Sequence, residues 1–76
     1  MTLRPPGGEV TTLAYSPDGS LLAAGTSSGT LSLWDTSTWK QVTTWPASPS
    51  AVVGLAFTPD GKHLVAGTAD GVIRFW

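Results

Sequence analysis

Residues able to carry out acid–base or metal chemistry are few in this sequence. His63 is the single histidine, cysteine is absent, and Asp18 and Asp60 are the carboxylates that look most like a pair. Nucleophilic catalysis requires a base beside the nucleophile, and a zinc site requires several nitrogen or sulfur ligands. The glycine-rich segments also lack the GxxxxGK[ST] pattern of a phosphate-binding loop. The sequence therefore predicts no catalytic residue, no metal site and no cofactor.

Charge and hydropathy argue against two further classes of function. The four basic residues (Arg4, Lys40, Lys62 and Arg74) are scattered and the net charge is −1, whereas nucleic-acid binding requires a clustered positive surface. No apolar run approaches the roughly 18 residues of a membrane span. We therefore expect neither a nucleic-acid partner nor a membrane. The lack of cysteine is compatible with a reducing cytoplasm, which we favour, without identifying the compartment.

An internal repeat organises the chain. The segment Val10–Trp34 matches Val52–Trp76 after a shift of 42 positions without a gap, and 12 of the 25 aligned residues are identical. A repeat of this length is typical of solenoids, propellers and arrays. The shift places Asp18 on Asp60, so each aspartate occupies the same Pro-Asp-Gly turn of its own unit. The chemistry of such turns accounts for both aspartates. The same shift aligns His63 with Leu21, so we expect His63 to be a partly exposed strand residue.

Each repeat unit has the pattern of short strands joined by tight turns. Apolar and β-branched residues alternate between turn signals, and no apolar period of 3.6 indicates a helix. We predict an all-β fold of four-stranded antiparallel meanders, which are propeller blades. Residues 1–9 would end an outer strand and form a loop, and residues 10–45 would form a first blade with strands at about 10–15, 21–25, 30–34 and 40–45. Residues 46–51 would connect it to a second blade, residues 52–76, that lacks its outer strand.

The repeated motifs resemble those of the WD-repeat family of β-propellers. The pattern Val-x-x-Leu-Ala-aromatic-Ser/Thr-Pro-Asp-Gly, followed by Leu-x-Ala-Gly-Thr and Gly-x-Leu/Ile-x-Leu/Phe-Trp, occurs twice, and Asp35 completes a Trp-Asp pair in the first unit. The Gly-His element that usually precedes the first strand is missing from both units. In addition, Trp39 stands at a corner where the family usually has glycine, a position that favours a positive φ.

The resemblance implies a structural role for a set of residues at the end of each unit. In the family, a histidine, a strand hydroxyl, a turn aspartate and the tryptophan form a buried hydrogen-bond network. Without the histidine, we expect packing to hold the tryptophans more than hydrogen bonds do. The positions that match the network are Thr26, Trp34, Thr68, Asp70 and Trp76, with Ser28 in place of the aspartate of the first unit.

The function that the resemblance implies is a non-catalytic platform for protein–protein contact. Propellers close with about four to eight blades, and this chain holds about two, so other copies or further repeats would complete the ring. One expectation is head-to-tail association of three or four copies, giving six or eight blades, with Met1–Arg4 adding to the strand Val72–Trp76 of a neighbour. Three alternatives stay open: a piece of a larger propeller, a structural or engineered self-assembling unit without a natural ligand, and a carbohydrate-binding propeller.

Loops at one rim of the blades are the predicted surface for a partner protein, since propellers bind through their loops. The candidate rim residues are Arg4, Glu9, Ser28, Ser48 and Asp70. Trp39 and Trp45 decide the carbohydrate alternative, because exposed indoles could stack on sugars or anchor a peptide. We favour burial of both along the flank of a blade or at a seam between subunits.

Overall fold

The structure, a computed structural model, describes residues 2 and 8–76. Within these residues the chain forms seven β-strands joined by turns and loops. The strands are β1 (Val10–Tyr15), β2 (Leu21–Thr26), β3 (Thr30–Asp35), β4 (Gln41–Pro46), β5 (Val52–Phe57), β6 (Leu64–Thr68) and β7 (Ile73–Phe75). They form two antiparallel sheets with strand orders β1-β2-β3-β4 and β5-β6-β7, called blade 1 and blade 2 below. The predicted all-β fold of propeller blades is confirmed, and the two sheets do not close a ring by themselves. No helix among the described residues is long and apolar enough to cross a membrane.

The first turn of each blade has the hydrogen bonding that its sequence demands. The Gly19 amide donates to the Ser16 carbonyl at 2.9 Å, and the Gly61 amide donates to the Thr58 carbonyl at 2.8 Å. Both glycines have positive φ, 75° and 72°, which an L side chain rarely adopts. These two glycines therefore fix the tight connections that align β1 with β2 and β5 with β6.

A β-bulge interrupts the first strand of each blade at the same repeat position. The register shifts between Val10 and Thr12 in β1 and between Val52 and Gly54 in β5. Since a bulge adds one residue to its strand, residues three apart come to lie on the same face. This places Val10 on one face of blade 1 with Leu13 and Tyr15.

The two sheets pack face to face around a small apolar core. The cluster that fills this seam consists of Ala23, Leu31, Val52, Leu64 and Ala66, with Leu33, Trp45, Ala47, Leu55 and Phe57 packed around it. One face of blade 1 and the opposing face of blade 2 supply these residues. Each blade is therefore left with one face that its neighbour in the chain does not touch.

Candidate functional site

The seam between the blades includes a very close approach of β2 to β5. Val52 is fully buried, and a Cβ added to Gly25 would lie 2.6 Å from Cγ1 of Val52, closer than real carbon atoms approach. The φ of Gly25 is not positive, so its backbone does not demand glycine. Glycine is required at position 25 because Val52 approaches so closely.

A hydroxyl joins the two sheets beside this contact. Thr11 Oγ1 lies 3.1 Å from the Gly25 carbonyl and donates to the Val52 carbonyl of the other blade. Thr11 is the residue at the bulge of β1, where the extra residue breaks the regular alternation of the strand. Sequence reasoning missed Thr11, because a threonine in a strand is ordinary and its repeat partner, Val53, has no hydroxyl.

Two tryptophans extend the seam toward the outer strands. The rings of Trp45 and Trp76 meet edge to face, with centroids 5.6 Å apart and an interplanar angle of 66°, a geometry that aromatic pairs favour. Among the described residues no acceptor reaches the buried indole nitrogen of Trp45. Trp45 thus lies at the seam between blades. Trp39 is half-buried and adopts a φ of 57°, in the region that glycine usually occupies.

Each blade has an outward face whose residues are the repeat partners of residues buried in the seam. Val10 is the repeat partner of Val52, yet it is 44% exposed where Val52 is 0%. Ile73 is the repeat partner of Leu31, and it is 67% exposed where Leu31 is 0%. The exposed strip of blade 1 runs along β1 through Val10, Leu13 and Tyr15, because Leu22 and Ala24 on the same face are buried.

The residues of the predicted network occupy equivalent turns. In blade 1, Thr26 Oγ1 accepts a bond from the Thr30 amide at 3.1 Å and shares one with Ser28 Oγ at 3.2 Å. In blade 2, Thr68 Oγ1 donates to Asp70 and lies 3.1 Å from the Val72 carbonyl. The bond from Thr68 is the main reason that the pKa of Asp70 lies below its ordinary value.

The two tryptophans of the predicted network differ in their surroundings, since Trp34 is 5% exposed and Trp76 is 38% exposed. Trp34 is buried in blade 1, where it pairs across the sheet with Leu22. Trp76 is held at the end of blade 2 by two backbone bonds with Leu64, of 2.8 and 2.9 Å, and by its ring contact with Trp45.

The predicted rim is built from loops that bond to one another. The Ser27 amide donates to the Glu9 carbonyl at 2.8 Å, and the Ala69 amide donates to the Ala51 carbonyl at 2.9 Å. Ser48 is 8% exposed, and its hydroxyl accepts a bond from the Ser50 amide at 3.0 Å. Ser48 thus supports the connecting loop, while Glu9, Ser28 and Asp70 are exposed on the rim. Arg4 lies outside the described residues.

Gly29 explains why Ser48 is buried. A Cβ on Gly29 would lie 2.0 Å from the Ser48 carbonyl oxygen, and the Gly29 carbonyl accepts bonds from the amides of Ala47 and Ser48 at 2.9 and 3.1 Å. The turn between β2 and β3 therefore sits directly on the connecting loop. This contact joins residues far apart in the sequence, and the composition of neither loop indicates it.

The two turn aspartates line one shallow groove at the opposite rim. The groove has a volume of about 400 Å³ and its walls are the turns Ser16–Leu21 and Pro59–Gly61. Bonds from the Ser20 amide at 3.0 Å and from the hydroxyls of Ser20 and Ser16, both at 2.7 Å, lower the pKa of Asp18 to about 2. Bonds from the Thr58 hydroxyl and the Lys62 amide likewise lower the pKa of Asp60. Both carboxylates are occupied in stabilising their own turns.

The single histidine of the sequence lies beside the first turn of blade 2. His63 is exposed and immediately precedes β6. Its amide donates to Thr58 Oγ1 at 3.2 Å, and its carbonyl accepts from the Thr58 amide at 2.9 Å. Within residues 2 and 8–76, no three histidine, cysteine, aspartate or glutamate side chains gather in a group that could hold a metal ion.

Comparison with known proteins identifies the repeat. The family model for the WD domain, G-beta repeat, matches residues 1–35 and 39–76. A search of curated protein sequences finds no match to this chain. Among solved structures 278 chains match, including the crystal structure of RRP9 WD40 repeats, with a TM-score of 0.91 and 24% identity over 97% of this chain. This chain spans 24% of the length of that structure, and at this identity the likeness concerns the fold.

Proposed function

This chain belongs to the WD-repeat family, and from that premise we propose that it is a scaffold that associates head to tail with copies of itself. WD-repeat propellers are generally non-catalytic platforms that bind other proteins. The finer proposal is that the first partner of this chain is a second copy. The resulting ring would present the rim loops to further proteins.

The observation that carries the proposal is the matched exposure of two apolar surfaces. The seam within the chain buries Val52 and Leu31 from opposite sides, while their repeat partners Val10 and Ile73 remain exposed. Phe75, two residues further along β7 and 66% exposed, adds to the apolar surface on the same face of blade 2. Exposed apolar patches mark interaction sites, and the repeat relationship of these residues to the seam favours another blade as the occupant.

The geometry of such contacts leads to a ring. The surface on blade 1 differs from the surface on blade 2, so the contact between copies is heterologous, and heterologous contacts form a ring when the rotation closes. At two blades a chain, three or four copies would give six or eight blades, within the range of propellers. We therefore propose a trimer or a tetramer.

A strand edge on blade 2 adds a second reason for association. In blade 1 the outer edge of β3 pairs with β4, whereas in blade 2 no described strand pairs with the outer edge of β7. An open edge invites pairing with another chain. Addition of the segment Met1–Arg4 to this edge in a neighbouring copy remains a proposal, because apart from Thr2 that segment lies outside the described residues.

The rim loops are the proposed surface for other proteins. Glu9, Ser28 and Asp70 are exposed there, on turns whose backbones are fixed by the bonds between loops. Fixed loops present side chains at a low entropic cost of binding. A ring of several copies would repeat this surface around one rim, so a partner would meet it several times.

A charge placed on the exposed face of blade 2 tests the proposal. Ile73→Asp should abolish association, because an unpaired carboxylate would be buried between copies, while the isolated chain tolerates a charge at this exposed position. Sedimentation velocity over a concentration series measures the effect. The matched control is Val42→Asp, a similar change at an exposed residue of the edge strand β4, which should associate like the unaltered chain.

Two results would contradict the proposal. One is sedimentation of the unaltered chain at its monomer mass of 7.9 kDa at every concentration. The other is association that is equally strong in Ile73→Asp and Val42→Asp.

A further inference from the structure

We infer that Gly67 is the socket at which one copy receives Val10 of the next copy. The inference rests on the proposed self-association and deepens it by assigning the residue pair at the closest point of contact. Gly67 lies on β6 of blade 2, and Val10 begins β1 of blade 1.

The contact within the chain provides the template. Val52 meets Gly25 so closely that a single added carbon would lie 2.6 Å from one methyl and 2.8 Å from the Val52 Cβ. The repeat shift of 42 positions carries Gly25 onto Gly67 and carries Val10 onto Val52. The same approach between two copies therefore joins Gly67 to Val10.

Within residues 2 and 8–76, no contact requires glycine at position 67. No atom of the described part of the chain lies within 4 Å of the place that a Cβ would occupy there. Gly67 is also absent from the glycines with positive φ, which include Gly61 and Gly71 nearby. Glycine in a strand interior weakens the strand and often marks a close approach by another backbone or ligand. The missing neighbour at Gly67 is supplied by the second copy.

Val10 is presented in the orientation that the socket requires. The bulge of β1 repeats the bulge of β5, so Val10 stands on blade 1 as Val52 stands on blade 2. Its side chain is 44% exposed, although aliphatic residues of this kind are usually buried. The proposed pair thus consists of the exposed side chain of Val10 and the uncovered Gly67. These residues are the repeat partners of Val52 and Gly25, which form the buried contact within the chain.

A double-mutant cycle on self-association tests the assignment. Gly67→Ala should weaken association about tenfold, because an added methyl group overfills a close contact, and Val10→Ala should weaken it because packing is lost. In the combined variant the dissociation constant should rise by less than the product of the two single effects. Removing the valine methyls makes room for the added carbon. Sedimentation equilibrium gives the dissociation constants, and circular dichroism checks the fold of each variant.

Gly25→Ala is the reference for the same change inside the chain. It should lower the stability of the fold itself, whereas Gly67→Ala should leave the spectrum of the chain unchanged. The residues of the cycle lie on opposite outward faces of one chain, so non-multiplicative effects indicate contact between copies.

Each other outcome would overturn the assignment in a distinguishable way. If the unaltered chain is monomeric at all concentrations, the proposed self-association fails, and this inference fails with it. If the unaltered chain associates but Gly67→Ala has no effect, or its effect multiplies with that of Val10→Ala, then the socket is wrong and self-association stands. Loss of the fold in Gly67→Ala would show that its own chain requires the glycine.

Discussion

At the scale of single residues, the turn aspartates show how far local sequence can be interpreted. The motif Ser-Pro-Asp-Gly predicted that Asp18 serves a turn, and the structure places its carboxylate among three donors, the Ser20 amide and the Ser16 and Ser20 hydroxyls. The chemistry is local because all partners lie within two residues. Such a site can be found from the sequence because the chain needs no tertiary contact to build it.

The pKa of Asp18 makes a pH-dependent prediction. In the folded chain it lies at about 2, below its ordinary value of 3.8, so the folded carboxylate binds its proton less readily than the unfolded one. Its contribution to stability is therefore present above pH 3.8 and is lost as the pH falls toward 2. Asp18→Asn, which cannot titrate, should show a smaller decline in thermal midpoint between pH 5 and pH 2.

Circular dichroism melting at a series of pH values provides this measurement. Asp60→Asn offers a comparison at the equivalent turn of blade 2, where the pKa is also lowered. A decline in Asp18→Asn as steep as that of the unaltered chain would show that this carboxylate does not contribute.

At the scale of elements, the repeat predicted the fold class, but it could not predict how closely the sheets approach. The alternation of apolar residues and turn signals indicates strands regardless of their partners. The closeness of β2 and β5 depends on Gly25 facing Val52, residues that lie 27 positions apart. No local sequence pattern links the two residues. The contact between Gly25 and Val52, and the Thr11 hydroxyl beside it, could therefore be found only from the structure.

The hydroxyl of Thr11 should stabilise the attachment of one blade to the other. Thr11→Val keeps the shape of the side chain but removes the donor to the Val52 carbonyl. We expect a loss of about 1 kcal/mol in the free energy of unfolding, as for other hydrogen bonds. Urea denaturation followed by tryptophan fluorescence measures the difference.

The repeat supplies a matched control for this change. Val53→Thr introduces the reverse substitution at the equivalent residue of blade 2, which is 60% exposed. It should leave the stability of the chain nearly unchanged. Equal stability of Thr11→Val and the unaltered chain would show that the hydroxyl does not hold the sheets together.

At the scale of the whole molecule, the chain has more apolar surface than its own seam can cover. A domain near this size buries only about 60% of the surface that its unfolded chain exposes. In the described part of the chain, the two sheets share one cluster of five buried apolar residues. There is no cysteine to form a disulfide. Contact with further blades would bury more of this surface, and the exposed residues are repeat partners of those that already meet.

The sequence could predict a blade fold and the presence of about two blades because the repeat period carries both. It could not show which residues of each blade stay exposed. Leu31 is buried because a neighbouring sheet covers it, and Ile73 is exposed because no described sheet covers it. The two side chains are otherwise chemically alike. The candidate interface was therefore visible only when the two blades were compared in the structure.

Absolute mass in solution tests the central claim most directly. Light scattering on a sizing column, at several loading concentrations, should give one constant mass of three or four times 7.9 kDa, corresponding to a closed ring of six or eight blades. A closed ring has no free surface to add further copies, so the mass should not grow with concentration. A mass of 7.9 kDa at every concentration would contradict the claim.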